Sequence, residues 1–343
     1  MTEDSADPRE TEHHPRRRTK LTGHAAAEQR LLQGYLSGRL HHAWLIHGPK
    51  GIGKATLAYR LARFILHHPD PASAAGHTSL YVPPEAPAAR RVGARAHANL
   101  LAIERTFVEK DKKLKSEIGV DVARAAGEFF GQTAGEAGWR IAIIDSADDL
   151  NRESANALLK HIEEPPHRSL FLVVAHQPGQ LLATIRSRCI ALPLSPLSLE
   201  ETLAVLQDVG AGDDLGKAAE LSGGSPGRAL ELTGSKGAAQ FRRFAEIANS
   251  GRIFTPAQKF LIADGFTGRG GSIAEDFDVF CALITDWAGR AARAHGLKGG
   301  GAEMARAHDE ICHSIRLTNA LNLDRRQTVL EAISAIESAA KLA

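Results

Sequence analysis

Gly48-Pro49-Lys50-Gly51-Ile52-Gly53-Lys54 has the residue types and spacing of a loop that wraps phosphate. Glycines at 48, 51 and 53 let backbone N–H groups approach an anion where a side chain would not fit. Lys54 can neutralise β- and γ-phosphate oxygens, and the positive end of a following helix adds to the attraction. The next position, where a hydroxyl would ligate Mg²⁺, carries Ala55. Thr56 does not replace that ligand, because one step along a helix is a rotation of about 100°.

A second chemical signal is Ile143-Ile144-Asp145-Ser146. Asp145 can hold Mg²⁺ through water, but Ser146 stands where a hydrolytic site needs a Glu, and a hydroxyl is no general base at pH 7. Asp148 and Asp149 read as a solvated turn. The glycine loop with Lys54 predicts that ATP or ADP can bind, with or without Mg²⁺, whereas Ala55 and Ser146 together predict weak or absent hydrolysis. Arg188, in Thr184-Ile185-Arg186-Ser187-Arg188-Cys189, is a second kind of candidate. An arginine delivered to another subunit's γ-phosphate is worth roughly 10³–10⁵ in rate. By composition alone it is more often a surface ion pair, and Cys189 reads as a packing residue. Ser225-Pro226-Gly227-Arg228 has the form of a helix start, which would bring Arg228 near a helix N-terminus and within reach of nucleotide. The histidine pairs His13-His14, His41-His42 and His67-His68 lack metal-ligand spacing, so no metal site is expected from them.

Those residues need a frame. Ala43-Trp44-Leu45-Ile46 reads as a buried strand ending at the loop, and Leu57, Leu61, Phe64 and Ile65 recur behind it at helical spacing. Strand, loop and helix is the order a phosphate loop requires. Residues 67–95, rich in Pro and Ala, read as an irregular insertion. Leu100-Leu101-Ala102-Ile103, Ile141-Ala142-Ile143-Ile144 and Leu170-Phe171-Leu172-Val173-Val174 predict three further strands. Val122, Ala125, Ala126 and Phe129 predict a helix. Asn151 should cap another, with Ala155, Leu158, Leu159 and Ile162 as its apolar stripe and Pro165-Pro166 as its stop. Such alternation implies a parallel sheet covered on both faces.

The expected organisation is a disordered tail over residues 1–20 and an α/β P-loop domain over 21–195. A small helical lid should follow over 196–236, then an all-α domain over 237–343. Arg16-Arg17-Arg18 in the tail is a solvated charge run or a contact for DNA phosphate. The chain has 343 residues, 43% of them hydrophobic, enough for two or three domains with full cores. A net charge of +2 is too small for a dedicated nucleic-acid binder. No apolar run approaches membrane-span length, and the polar N-terminus is unlike a secretory signal. Three scattered cysteines fit a reducing cytoplasm.

Taken together these residues resemble the AAA+ clamp-loader family. The resemblance rests on His42-Ala43-Trp44-Leu45 leading into residues 48–54 and on Asp145-Ser146-Ala147-Asp148. It rests also on Asn156-Ala157-Leu158-Leu159-Lys160 with Glu163-Glu164-Pro165-Pro166, and on Ile185-Arg186-Ser187-Arg188-Cys189. Gly223-Gly224-Ser225-Pro226-Gly227-Arg228 matches that family's sensor 2 region, and Asn322-Leu323-Asp324-Arg325-Arg326 its C-terminal region. The resemblance implies that Arg188 is an arginine finger serving a neighbouring subunit. It also implies a helical collar that joins a five-subunit ring, the partners being motor subunits and the delta subunit. Through that ring the chain would act on the sliding clamp and primed DNA. The alternative is an active motor ATPase of the same family or another AAA+ remodelling ATPase; a motor should carry Ser or Thr at 55 and Glu at 146. A nucleotide-sensing module outside replication is a further alternative. Relatives often carry a four-cysteine zinc module, but no cysteine precedes Cys189, so zinc is not expected.

Overall fold

The computed structural model describes residues 11–111, 113–131, 138–211, 215–268, 271–296 and 301–342. The chain divides into two compact units. The first reaches to Val205 and takes in Gly223–Gly227; the second comprises Leu206–Ser222 and everything from Arg228 onward.

The first unit is built on a five-stranded sheet, with β1 (Ala43–His47), β2 (Leu100–Ile103), β5 (Arg140–Asp145), β6 (Ser169–Ala175) and β7 (Ile190–Pro193). The order is β2-β5-β6-β1-β7 and every pair is parallel. Two short strands, β3 (Phe107–Val108) and β4 (Lys113–Leu114), form a separate antiparallel pair. Side chains on successive strand positions point to opposite faces, and the core divides accordingly. Trp44, Ile46, Ile141, Ile143, Leu170, Leu172 and Val174 pack beneath α1 (Ala25–Leu36) and α2 (Lys54–His67). Ala43, Leu45, Ala142, Ile144, Phe171 and Val173 pack beneath α4 (Val120–Gly131) and α5 (Arg152–Glu163). Burial on both faces explains why these strands are continuous apolar runs rather than alternating ones. The expected α/β P-loop class with a parallel sheet and a helical C-terminal part is what the chain adopts.

The helices stop and start where side chains permit. The Asn151 carboxamide accepts from Ser154 N and caps α5, as its residue type predicts. Four features differ from expectation. Residues 67–95 are not irregular throughout: a short 3₁₀ turn at Pro71–Ala74 and the helix α3 (Pro87–Gly93) bury Ala74, Ala88, Ala89 and Val92. The buried face of α4 is Ala123, Ala126 and Phe130; of the predicted stripe only Ala126 is fully buried, while Val122 and Phe129 are partly buried against the same core. β7 carries only two inward apolar residues and ends at Pro193, tolerable because it is an edge strand. The expected tail also departs. Residues 1–10 lie outside the described residues, but the residues after them are docked: Arg16 Nε donates to Gly93 O at 2.9 Å, Arg63 donates to Arg18 O, and His14 meets the Tyr59 ring edge-on.

The helix α6 (Ala183–Arg186) precedes β7, and α7 (Leu199–Asp208) follows it. The second unit is helical: α8 (Leu215–Ser222), α9 (Pro226–Gly234, which enters the unit at Arg228), α10 (Lys236–Asn249), α11 (Pro256–Ala263), α12 (Gly271–Gly296), α13 (Gly301–Leu321) and α14 (Arg325–Leu342). Ser235 caps α10, and Thr255 with Gln258 forms a capping box on α11. Phe241, Phe244, Phe277, Phe280, Leu283 and Ile284 form its interior, Phe244 stacking on Phe254 at 5.5 Å. No helix among the described residues is long and apolar enough to cross a membrane.

Candidate functional site

β1 delivers the chain to the glycine loop, and α2 begins at Lys54. Gly48 has φ 147°, and a Cβ there would collide with the Leu194 carbonyl at the end of β7. Only glycine lets the loop leave the sheet so close to that strand. Gly51 and Gly53 lie in the turn that follows, and Ala55 and Thr56 occupy the first helical turn. Lys54 is buried, and its Nζ donates to Gly48 O at 2.7 Å and Pro49 O at 2.6 Å. Burial lowers its pKa to about 8, against the opposing pull of Asp145 and Asp148. The ammonium form therefore still prevails at neutral pH.

Asp145 ends β5, paired in register with Val174 of β6. The residues after it are not a solvated turn. Asp148 accepts from Ser146 Oγ at 2.6 Å, His176 N at 2.5 Å and Gln177 N at 2.7 Å. Burial opposes its charge, but these three donors outweigh burial and hold its carboxyl below the usual range. Ser146 is thus committed to Asp148 and offers no base. Asp149 pairs with Arg105 at 3.1 Å. His176 sits just past β6, and burial with Lys54 nearby pushes its pKa down to about 4, so the ring is neutral. Asp145, Ser146, Asp149, His176, Glu104 and Arg105 line a cavity of about 330 Å³ together with residues of the 11–15 segment.

Sequence reasoning found Asp145, took Asp148 for part of a solvated turn, and passed over His176 and Arg105. The available signal was topological. Ligands of open parallel sheets collect at the carboxyl ends of the strands, and His176 follows the strand beside Asp145.

The remaining candidates lie elsewhere. Arg188 follows α6, where its Nη2 meets Glu163 Oε1 at 2.8 Å and its Nη1 donates to Thr184 O at 3.0 Å. Both carboxylate and guanidinium are partly exposed. Cys189 packs against the α4/α5 side of the sheet, and burial raises its thiol pKa to about 11. Arg228 belongs to the second unit, where it donates to Asp286 beside Arg290. His41 Nδ1 and His42 Nε2 donate to the backbone carbonyls of Ala43 and Ile162.

The residues present fit a bound nucleotide phosphate: a glycine turn, a buried ammonium and a helix N-terminus converge. They fit Mg²⁺ less well, since of the two positions expected to hold it Ala55 supplies no oxygen and Asp145 alone offers one.

The model of the family described as DNA polymerase III, delta subunit, matches residues 23–198, more than half of the chain. The chain is 36% identical over 213 residues to DNA polymerase III subunit delta' of Pseudomonas aeruginosa, covering 60% of each. It is 33% identical over 214 residues to the Escherichia coli subunit of the same name, covering 60% of this chain and 58% of that one. The matches thus span about three fifths of these relatives' length. A DNA polymerase III gamma subunit-related protein of Thermotoga maritima superposes with a TM-score of 0.43 at 16% identity, covering 93% of this chain and all of that one. With a phosphate loop, an Asp-ended strand and the Arg188 turn lying inside the matched segment, the chain belongs to the DNA polymerase III delta subunit family.

Proposed function

We propose that this chain is a delta-prime-type subunit of a bacterial clamp loader, acting in the cytoplasm beside motor subunits and delta. Its tasks are to complete the ring and to lend Arg188 to the ATP of a neighbouring subunit, while hydrolysing little or no ATP itself. The ring acts on the sliding clamp and primed DNA; this chain reaches both through its partners.

The observation that carries the reading is the division of labour between two places in one unit. The phosphate loop keeps Lys54 but has Ala55 and a Ser146 bound to Asp148, so it can hold ATP or ADP without activating water. Arg188 stands on the surface, held by an exposed carboxylate that another anion can replace. Reconstitution with the motor subunits tests this. Arg188→Ala in a correctly assembled complex should slow ATP turnover and clamp loading; undiminished loading overturns the finger assignment.

A further inference from the structure

The phosphate loop is held by donors from outside it. Three successive carbonyls accept from three residues in two separate segments of the first unit: Ser225 Oγ donates to Lys50 O at 2.8 Å, Gly227 N to Gly51 O at 2.9 Å, and His24 Nε2 to Ile52 O at 2.7 Å. With Lys54 on Gly48 O and Pro49 O, five consecutive carbonyls have named donors.

The geometry of the peptide unit gives this pattern a consequence. In a trans peptide the C=O of one residue and the N–H of the next point in opposite directions, and the loop peptides are trans. Fixing the carbonyls of Lys50, Gly51 and Ile52 therefore turns the N–H groups of Gly51, Ile52 and Gly53 away from the donors. Among the described residues those three N–H groups donate no hydrogen bond. They are the groups that a phosphate would receive.

The donors are themselves fixed. His24 is 6% exposed and sits at the start of α1. Ser225 is 4% exposed. A Cβ at Gly227 would lie 2.9 Å from Gly51 Cα, so the two backbones are in direct contact. The Ser225-Pro226-Gly227 stretch thus reaches the loop by backbone and hydroxyl, whereas Arg228 beside it is engaged with Asp286.

We propose that Ser225 and His24 are positioning residues of the phosphate loop: they orient its amides for an anion without touching the anion themselves. The inference rests on the reading of residues 48–54 as a nucleotide site, and the test separates the two. The full chain is titrated with a fluorescent ATP analogue, and NMR backbone order parameters are measured at residues 50–54 without nucleotide. Ser225→Ala should weaken binding about three- to tenfold, the size of one lost hydrogen bond, and lower the order parameters at Gly51 and Ile52. Ser225→Thr, which keeps the hydroxyl, should restore both, and His24→Gln should recover more than His24→Ala. A general loss of fold would instead lower the melting temperature of the Ala and Thr variants alike. Unchanged affinity or unchanged order parameters in Ser225→Ala overturns the proposal. If the wild-type chain binds no nucleotide, the nucleotide reading falls, and the order parameters alone decide the positioning claim.

Discussion

Arg188 Nη2 lies 2.8 Å from Glu163 Oε1, which ties the turn after α6 to the last residue of α5. Each side chain is about two fifths exposed, and an exposed pair of this kind contributes only about 0–1 kcal/mol. A γ-phosphate could take the guanidinium at little cost. We expect Arg188→Ala to leave the fold intact and to lower whole-complex ATPase several-fold, the loss falling on the one site that Arg188 faces. Glu163→Gln should remove the competitor and leave the ATPase at least as fast. If both variants behave alike, the pair is a structural contact and nothing more.

The purified chain should hydrolyse ATP negligibly. Ala55 provides no Mg²⁺ ligand, and Ser146 donates to Asp148 at 2.6 Å rather than facing a water as a base. A turnover near about 1 s⁻¹, the low end for enzymes, that disappears in Lys54→Ala would sink this expectation.

Nucleotide binding should weaken as the solution becomes alkaline. The charged form of Lys54 attracts phosphate, and burial has lowered its pKa to about 8. Affinity is therefore highest below that value and falls as pH rises through it. Binding an anion must in turn raise the Lys54 pKa, by linkage. His176, with its pKa near about 4, stays neutral over this range and adds no slope. A titration with ADP on either side of about pH 8 measures the effect. Saturation at a hundred times the Kd should add about 2.7 kcal/mol to stability. A flat profile, or no thermal shift with nucleotide, would mean that the loop no longer serves a ligand.

The strands could be read from the sequence because burial on both sheet faces leaves unbroken apolar runs, as in Leu170-Phe171-Leu172-Val173-Val174. β7 could not, since an edge strand with Pro193 has too few apolar residues to stand out. The loop glycines and Lys54 announce themselves by local spacing. The bonds that surround them do not. Ser225 meets Lys50 across 175 residues of sequence, and His176 meets Asp148 across 28. Only the folded sheet brings those partners together. Composition also misjudged residues 11–20: polar and charged residues suggest disorder, yet Arg16 is buried and bonded to Gly93 O.

The last prediction concerns the helical unit. The apolar stripes Phe277, Phe280, Leu283, Ile284 and Val329, Ile333, Ile336 are buried within it, so they are its core and cannot also face a neighbour. Other side chains are left at the surface: Leu261 is 58% exposed on α11 and Leu321 is 65% exposed at the end of α13. If this unit joins a ring, these two are among the residues with apolar area still to bury, together with Ile253, Phe260, Leu317 and Leu323. Leu261→Asp and Leu321→Asp should each keep the fold, because surface substitutions usually change stability by only about 0.5 kcal/mol. Each should weaken co-purification with the motor subunits. Phe280→Ala is the contrasting case and should destabilise by about 3–5 kcal/mol. The boundaries of a collar fragment follow from the same packing. One beginning at Gln240 would cut α10 in its first half and strip away Arg228, which holds Asp286 of α12. A fragment from Leu206 keeps that contact and the bond from Arg290 to Leu221 O. It should melt at a higher temperature and bind the motor subunits more tightly than the shorter one. Full-strength assembly by a chain ending near Gly234 would show that the interface lies in the α/β unit instead.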